Sequence, residues 1–375
     1  GTAAQEAYFR ALLGEFRLLG ERLGTTEKTL IGFDIGGGTP SFVDPAQIRR
    51  AIEAAQTWFR FPPGMAISIE TTPIIADREP DKMRAYGEMG IERISMGVQT
   101  THFKLARSLG REYEGLSMLE SAVRHIREAG FRRFNIDLMY GFADQSPASW
   151  QTTVEQTIAL GPEYITLYRM RYKGTRIREQ AAQVSRDMVN ELEGIARERL
   201  LGAGYAGTPG KNTYSRVPGD AGTSDYLTER VVKGTPYLGL GLGAQSLSPH
   251  TLAYNQGAAS KSLAPYLRAV EEGRLPVQDL YHLSLDGAMA KMIAVSFYFG
   301  QIHGEHFEAR FGVRLEDHFG EEVRFVLRQG LMEYAGPYLR LTEEGARQFN
   351  GVVALFFSGA VKDYLVHLGD PTGWE

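Results

Sequence analysis

IGFDIGGGTPSFVDPAQI, residues 31–48, holds the pattern on which the fold turns. A short apolar run from 29 to 35 reads as a strand and stops at Gly36-Gly37-Gly38. Asp44 then stands as an N-cap before Pro45 in a first helical turn, which predicts a helix to about Phe59. Outward from this unit the cycle repeats. Strands are predicted at 65–71, 93–99, 133–140 and 164–171, with helices at 80–90, 113–130, 147–160 and 185–204. Alternation at these lengths implies right-handed crossovers and a parallel sheet. The first element, however, is a helix over 4–23, ending at the breaker Gly24. A strand-helix repeat that opens on a helix lacks the strand which that helix should follow. The expectation is a strand before Gly1, with a helix capping the sheet edge as the alternative. The fold class predicted is therefore α/β, a partial (β/α)6 barrel with its first strand missing.

Beyond residue 204 the character changes. Residues 207–222 are rich in Gly, Pro, Ser and Thr and read as an extended connection or loop. TPYLGLGLGAQS at 235–246 reads as a glycine-punctuated strand laid on the barrel edge. From about 283 the pattern is mainly helical (288–299, 306–311, 315–327), then a hairpin at 331–341 and a helix at 342–357. This order is winged-helix-like. The expected division is a barrel at 1–205, a barrel-edge extension and connection at 206–280, and a helical C-terminal domain at 281–375.

The whole-chain numbers bound the function. The chain has 375 residues, with 43% hydrophobic and 23% charged, ordinary values for a globular protein. Its 41 basic residues are matched by 45 acidic ones, so a nucleic-acid partner is not expected, even for the winged-helix-like part. No apolar run approaches the roughly 18 residues of a membrane span, and no signal-peptide pattern opens the chain. A soluble, cytoplasmic monomer acting on a small molecule is expected. There is no cysteine, so the chain as written can form no disulfide, no thiolate metal site and no iron–sulfur cluster.

In parallel sheets and barrels, ligands sit at the carboxyl ends of strands. Here those ends carry Gly36-Gly37-Gly38-Thr39, then Glu70, Gln99, Asp137, and Tyr168 with Arg169. A polar group buried in such a place costs on the order of 1–3 kcal/mol unless hydrogen-bonded, so several in register argue for a shared ligand. The glycines would let backbone approach it, although a tight turn explains them equally well. They do not make a dinucleotide fingerprint, because the next helix starts too late. Glu70, Gln99 and Asp137 suit ammonium or hydroxyl groups; a salt bridge at the barrel mouth is the alternative. Arg111 would suit a carboxylate, or is a surface arginine. The eight histidines show no metal-like spacing and are expected at the surface. Neither a G-x-S-x-G elbow nor a P-loop is present.

Taken together, IGFDIGGGTPSFVDPAQI, AISIETTP, RISMGVQT, the GRE at 110–112, RFNIDLMYGFADQSPASW and YLGLGLGAQS resemble the oxygen-independent coproporphyrinogen III oxidase-like branch of the radical S-adenosylmethionine enzymes. The resemblance runs in order along almost the whole chain. It implies a partial barrel holding a four-iron, four-sulfur (4Fe-4S) cluster and one or two molecules of S-adenosyl-L-methionine. Gly36, Gly37 and Gly38 would receive the methionine ammonium, with Thr39 beside them in the cofactor site, and Glu70 would stabilise the ligand near its ribose. Gln99, Arg111 and Asp137 would contact ribose, carboxylate or a second adenosylmethionine. Tyr168 falls where an adenine-stacking aromatic would be, and Gly241, Ala244 and Gln245 would complete the cofactor site. The departure is the missing C-x-x-x-C-x-x-C motif. Together with the missing strand, it leads to the expectation that the cluster cysteines lie N-terminal of Gly1. The rival is a cluster-free relative. As written, the chain should be inactive.

Three activities compete under this resemblance. The first is transfer of a methyl or methylene group from a second adenosylmethionine to an sp² carbon, including cyclopropanation. The second is oxidative decarboxylation of coproporphyrinogen III. The third is a haem-binding chaperone or haem-modifying relative. The first is preferred here, because the loop 222–230 does not look like the substrate region of true coproporphyrinogen dehydrogenases. Arg169, Arg171 and Arg176 keep a porphyrin-like substrate in play. An electron donor such as flavodoxin or ferredoxin is the implied partner.

Overall fold

The computed structural model describes residues 2–111 and 115–367. Glu112 and the predicted helix start at Tyr113 lie outside the described residues. In chain order the barrel part is α1 (Thr2–Leu23), β1 (Phe33–Ile35), α2 (Pro45–Trp58), β2 (Ile67–Thr71), α3 (Pro73–Arg78), α4 (Pro80–Glu88), β3 (Arg93–Gln99), α5 (Phe103–Ser108), α6 (Leu116–Glu128), β4 (Arg133–Tyr140), α7 (Pro147–Ala159), β5 (Tyr164–Arg169) and α8 (Arg186–Gly202). The helices start where short polar side chains cap them. Asp44 accepts the Ala46 N–H at 2.8 Å ahead of α2, and Ser146 and Ser185 cap α7 and α8 in the same manner.

Strands β1 to β5 pair in parallel and in sequence order, as the five predicted strands require. A sixth strand, β6 (Thr213–Ser215), adds antiparallel to β5. It lies inside the predicted loop at 207–222, where three residues between glycines and prolines left no readable period.

Side chains alternate across this sheet. In β3, Ile94, Met96 and Val98 are fully buried under the helices, while Arg93, Ser95, Gly97 and Gln99 take the other face. The same alternation puts Asp34, Ser68, Glu70, Asn135, Asp137, Thr166 and Tyr168 on that inner face. Branched apolar side chains usually fill a barrel interior in packed layers. Here the inner positions are polar or small, so a lumen is left.

The remainder comprises α9 (Asp225–Lys233), β7 (Gln245–Leu247), β8 (Thr251–Asn255), α10 (Leu263–Glu271), β9 (Val277–His282), α11 (Leu285–Ser296), β10 (Gln301–His303), α12 (Gly304–Phe311), α13 (Leu315–His318), α14 (Gly320–Arg328), β11 (Met332–Ala335), β12 (Tyr338–Leu341), α15 (Glu343–Arg347), α16 (Phe349–Leu355) and α17 (Gly359–His367). Residues 235–246 do not form the predicted edge strand. Only Tyr237 bridges Leu247, and β7, β8 and β9 make their own antiparallel sheet. The cause is local: Gly241 has φ +98°, and a Cβ there would fall 2.5 Å from the Tyr8 hydroxyl of α1. From α11 onward the chain is mainly helical around the sheet β10-β12-β11, with its own core of Met289, Ile293, Phe297, Phe307, Phe319 and Phe356. The predicted helices at 315–327 and 342–357 are each interrupted, at Phe319 and Gln348.

Candidate functional site

The amino end of the barrel is closed by protein. Arg93, only 7% exposed, donates to the Gly222 carbonyl at 2.7 Å and lies over the Tyr164 ring. Arg133 donates to the Thr223 carbonyl and to Asp225, both at 3.1 Å, and Ser224 donates to Asp34 at 2.5 Å. Residues 222–225 are thus pinned as a plug beneath the lumen.

The carboxyl end is different. Gly37 and Gly38 have φ of +87° and +72°, and a Cβ on either would meet only open space. Gly36 packs on Glu70, whose carboxylate accepts the Gly37 N–H. Thr39 precedes a single 3-10 turn. Asp137 accepts from Ser95 Oγ and Asn135 Nδ2, each at 2.8 Å, and Asn135 in turn accepts from Thr166. Among the described residues no salt bridge explains Glu70 or Asp137. Arg111 donates to the Gly97 carbonyl at 2.8 Å and is within electrostatic reach of Asp137. The β3–β4 register slips between Gly97 and Gln99, and Gln99 has φ +69°. Its Oε1 is buried and accepts no hydrogen bond. A bulge, a left-handed residue that is not glycine and an orphaned acceptor coincide at this one position. Tyr168 is 44% exposed, toward the same space.

Burial first, then mutual repulsion, raises the pKa of Glu70; burial raises those of Asp34 and Asp137, partly offset by their hydrogen bonds. Three carboxylates on one lumen favour a ligand bearing a cation such as an ammonium. The structure therefore brings together Gly36, Gly37, Gly38, Glu70, Gln99, Arg111, Asp137 and Tyr168. Gln245 lies instead in a network with tyrosines, in which its Nε2 donates to Tyr254 at 2.6 Å and its Oε1 accepts from Tyr237.

Gly241 and Ala244 are used otherwise. The Gly241 N–H goes to Glu15 and its carbonyl to Asn255, while the Ala244 carbonyl accepts the Asn255 N–H. Glu15 also takes Tyr266 Oη and Asn255 Nδ2, both at 2.7 Å, and burial pushes its carboxyl up to about 7. Reading the strand residues missed Asp34, Ser95, Asn135 and Thr166. The signal was available: R-I-S-M-G-V-Q alternates perfectly, and both of its faces could have been read.

The histidines are not all superficial, since His303 is buried and stacks on His306 at 3.7 Å. Among the described residues no group of three or more His, Cys, Asp or Glu could hold a metal ion. With no thiolate in the chain, its residues do not fit an iron–sulfur cluster. The cofactor expectation, adenosylmethionine with a 4Fe-4S cluster, is corrected accordingly: this chain carries no ligand set for the cluster. No described helix is long and apolar enough to cross a membrane.

Two family models match, that of the Radical SAM superfamily over residues 5–157 and that of the HemN C-terminal domain over 300–347. The chain belongs to the radical SAM superfamily. Within that superfamily its curated relatives include the oxygen-independent coproporphyrinogen III oxidase of Cereibacter sphaeroides, 28% identical over 84% of this chain and 71% of the relative. Another is that of Pseudomonas aeruginosa, 24% identical over 93% and 78%. The coproporphyrinogen III oxidase structure from Escherichia coli superposes with a TM-score of 0.76, at 24% identity, over 94% of this chain and 83% of that one. It has the same fold. The chain is thus of a radical SAM enzyme type, without the cluster cysteines.

These relatives overturn the preference for transfer of a methyl or methylene group from a second adenosylmethionine. The physical reason lies in the loop at 222–230. Its first residues plug the amino end of the barrel, held by Arg93 and Arg133, so their sequence reports on closure of the barrel and not on the substrate.

Proposed function

We propose that this chain binds a tetrapyrrole of the coproporphyrinogen III class across the open end of the barrel, for oxygen-independent oxidative decarboxylation of its propionate arms. The observation that carries this is the match, in order and from barrel to C-terminal domain, to curated coproporphyrinogen III oxidases. The lumen supports it. Tyr168 and Tyr298, 44% and 47% exposed, offer aromatic faces to a flat macrocycle, and Arg169, Arg171 and Arg176 are exposed at the end of β5 to meet carboxylates. At the strand ends, Gly36 to Thr39, Glu70, Gln99, Arg111 and Asp137 bind a smaller polar ligand bearing an ammonium and hydroxyl groups. Gln245 holds the wall through its tyrosine network, as Gly241 and Ala244 do through Glu15 and Asn255. In this reading the division is the barrel at 1–205, the extension at 206–280 and the C-terminal domain at 281–375. The enzyme is a cytoplasmic monomer served by an electron donor such as flavodoxin or ferredoxin.

This chain's part is binding, orientation and exclusion of water. The test is fluorescence titration with coproporphyrin III, the air-stable form of the substrate class. Saturable binding, at least tenfold tighter than that of the dicarboxylate protoporphyrin IX, is expected. Equal or absent binding overturns the reading.

A further inference from the structure

A second charged site lies at the side of the lumen, between α9, the β7–β8 turn, α11 and α12. A narrow, partly open cleft there is lined by Arg230, Lys291 and Arg310 with apolar walls that include Leu247, Leu283 and Met292. Among the described residues no carboxylate pairs with any of the three cations. Among the described residues Arg310 makes no ion pair or hydrogen bond; its side chain lies beside Gly234 and the Phe311 ring. Lys291 likewise has no partner among the described residues, and its charge is disfavoured by burial and by Arg230. Arg230 touches only neutral groups: it donates to Tyr226 Oη at 3.2 Å, lies over the Tyr237 ring at 4.4 Å, and leaves its buried Nε without an acceptor. Nearby Glu229 is taken by Lys233. Half-buried like charges with no counter-charge beside them repel one another, and a bound anion relieves that repulsion.

Side-chain interactions connect the pocket to the strand ends. Arg230 reaches Gln245 Oε1 at 3.5 Å, and Tyr298 lies within electrostatic reach of both Tyr237 beside Arg230 and Tyr168 at the end of β5. A line of tyrosines thus runs from the strand ends to the cationic pocket. Narrow apolar walls with cations at the base suit a short aliphatic arm ending in a carboxylate. A bulky or purely inorganic anion would leave those walls uncovered.

We propose that Arg230, Lys291 and Arg310 form a carboxylate subsite that seats one propionate arm of the tetrapyrrole and so fixes which arm faces the strand ends; this rests on the tetrapyrrole reading above. The variants Lys291→Met and Arg310→Met test it, because each removes one of the repelling charges and should fold at least as stably as the parent. Coproporphyrin III and its tetramethyl ester are titrated against all three proteins by fluorescence. The expected result is a Kd for the tetra-acid about tenfold higher in each variant, roughly the loss of one charge-assisted contact, with no change for the ester and with Arg310→Lys restoring most of the affinity. If the parent binds coproporphyrin III and both variants bind it equally well, the subsite is overturned while the tetrapyrrole reading stands. If the parent does not bind it at all, that reading fails and the subsite, as a substrate contact, falls with it.

Discussion

The two ends of the barrel are built from the same kind of residue and differ in what those residues touch. At the amino end, Arg93, Arg133 and Asp34 each find a protein partner in the plug at 220–225. At the carboxyl end, Gln99 leaves an acceptor unmet and, among the described residues, Glu70 has the Gly37 amide and no cation. A polar inner face therefore serves the fold where a loop fills the lumen, and serves a ligand where none does. Substitution should separate the two. Arg93→Met removes the guanidinium that faces Asp34 and Asp137 and holds the Gly222 carbonyl. Leaving buried carboxylates without their cation should cost about 3–5 kcal/mol in a urea melt. Glu70→Gln at the other end should leave stability unchanged or raise it at pH 8, because it relieves repulsion from Asp137 and Asp34. Equal losses from both changes would erase the distinction.

Glu15 sharpens the comparison, being a buried carboxylate with three donors and, among the described residues, no cation. Its folded value of about 7 lies above the ordinary 4.5. Between those values the folded chain holds a proton that the unfolded chain has lost. Stability from this group is therefore full below about pH 4.5 and falls as pH rises to 7, by about 3 kcal/mol. Melts of the parent from pH 5 to 8 should show that decline, and Glu15→Gln should flatten much of it. An unaltered slope in Glu15→Gln would assign the effect to Asp34, Glu70 and Asp137, which are shifted in the same direction.

What could be read in advance follows from period and from reach. The five parallel strands were legible because each pairs an outward apolar series with capped helices, as Asp44-Pro45 and Ser185 illustrate. Glu70, Gln99 and Asp137 were legible as polar breaks at strand ends. The plug, the Glu15 hub and the cationic pocket were not. Each joins residues far apart in the chain, Glu15 with Asn255 or Arg230 with Arg310, and no local pattern marks such a meeting. The loop at 222–230 misled for the same reason: its composition was visible and its partners were not. β6 shows the lower limit, since three residues carry too little alternation to be read.

The smallest expected effect is at Gln99. A non-glycine residue on the left-handed side of φ is disfavoured by about 1–2 kcal/mol, and glycine would relieve this. Part of the gain is lost, because glycine has more freedom to give up on folding, by roughly 0.5–1 kcal/mol. The side chain contributes no compensating hydrogen bond through its buried Oε1. Gln99→Gly should therefore stabilise the protein by about 0.5–1 kcal/mol, read as a small rise in Tm. The same change at an amino-end residue would not stabilise, because there the side chain is already paired. A fall in Tm for Gln99→Gly would mean that the amide holds the bulge in place, and the carboxyl end would then be as structural as the amino end.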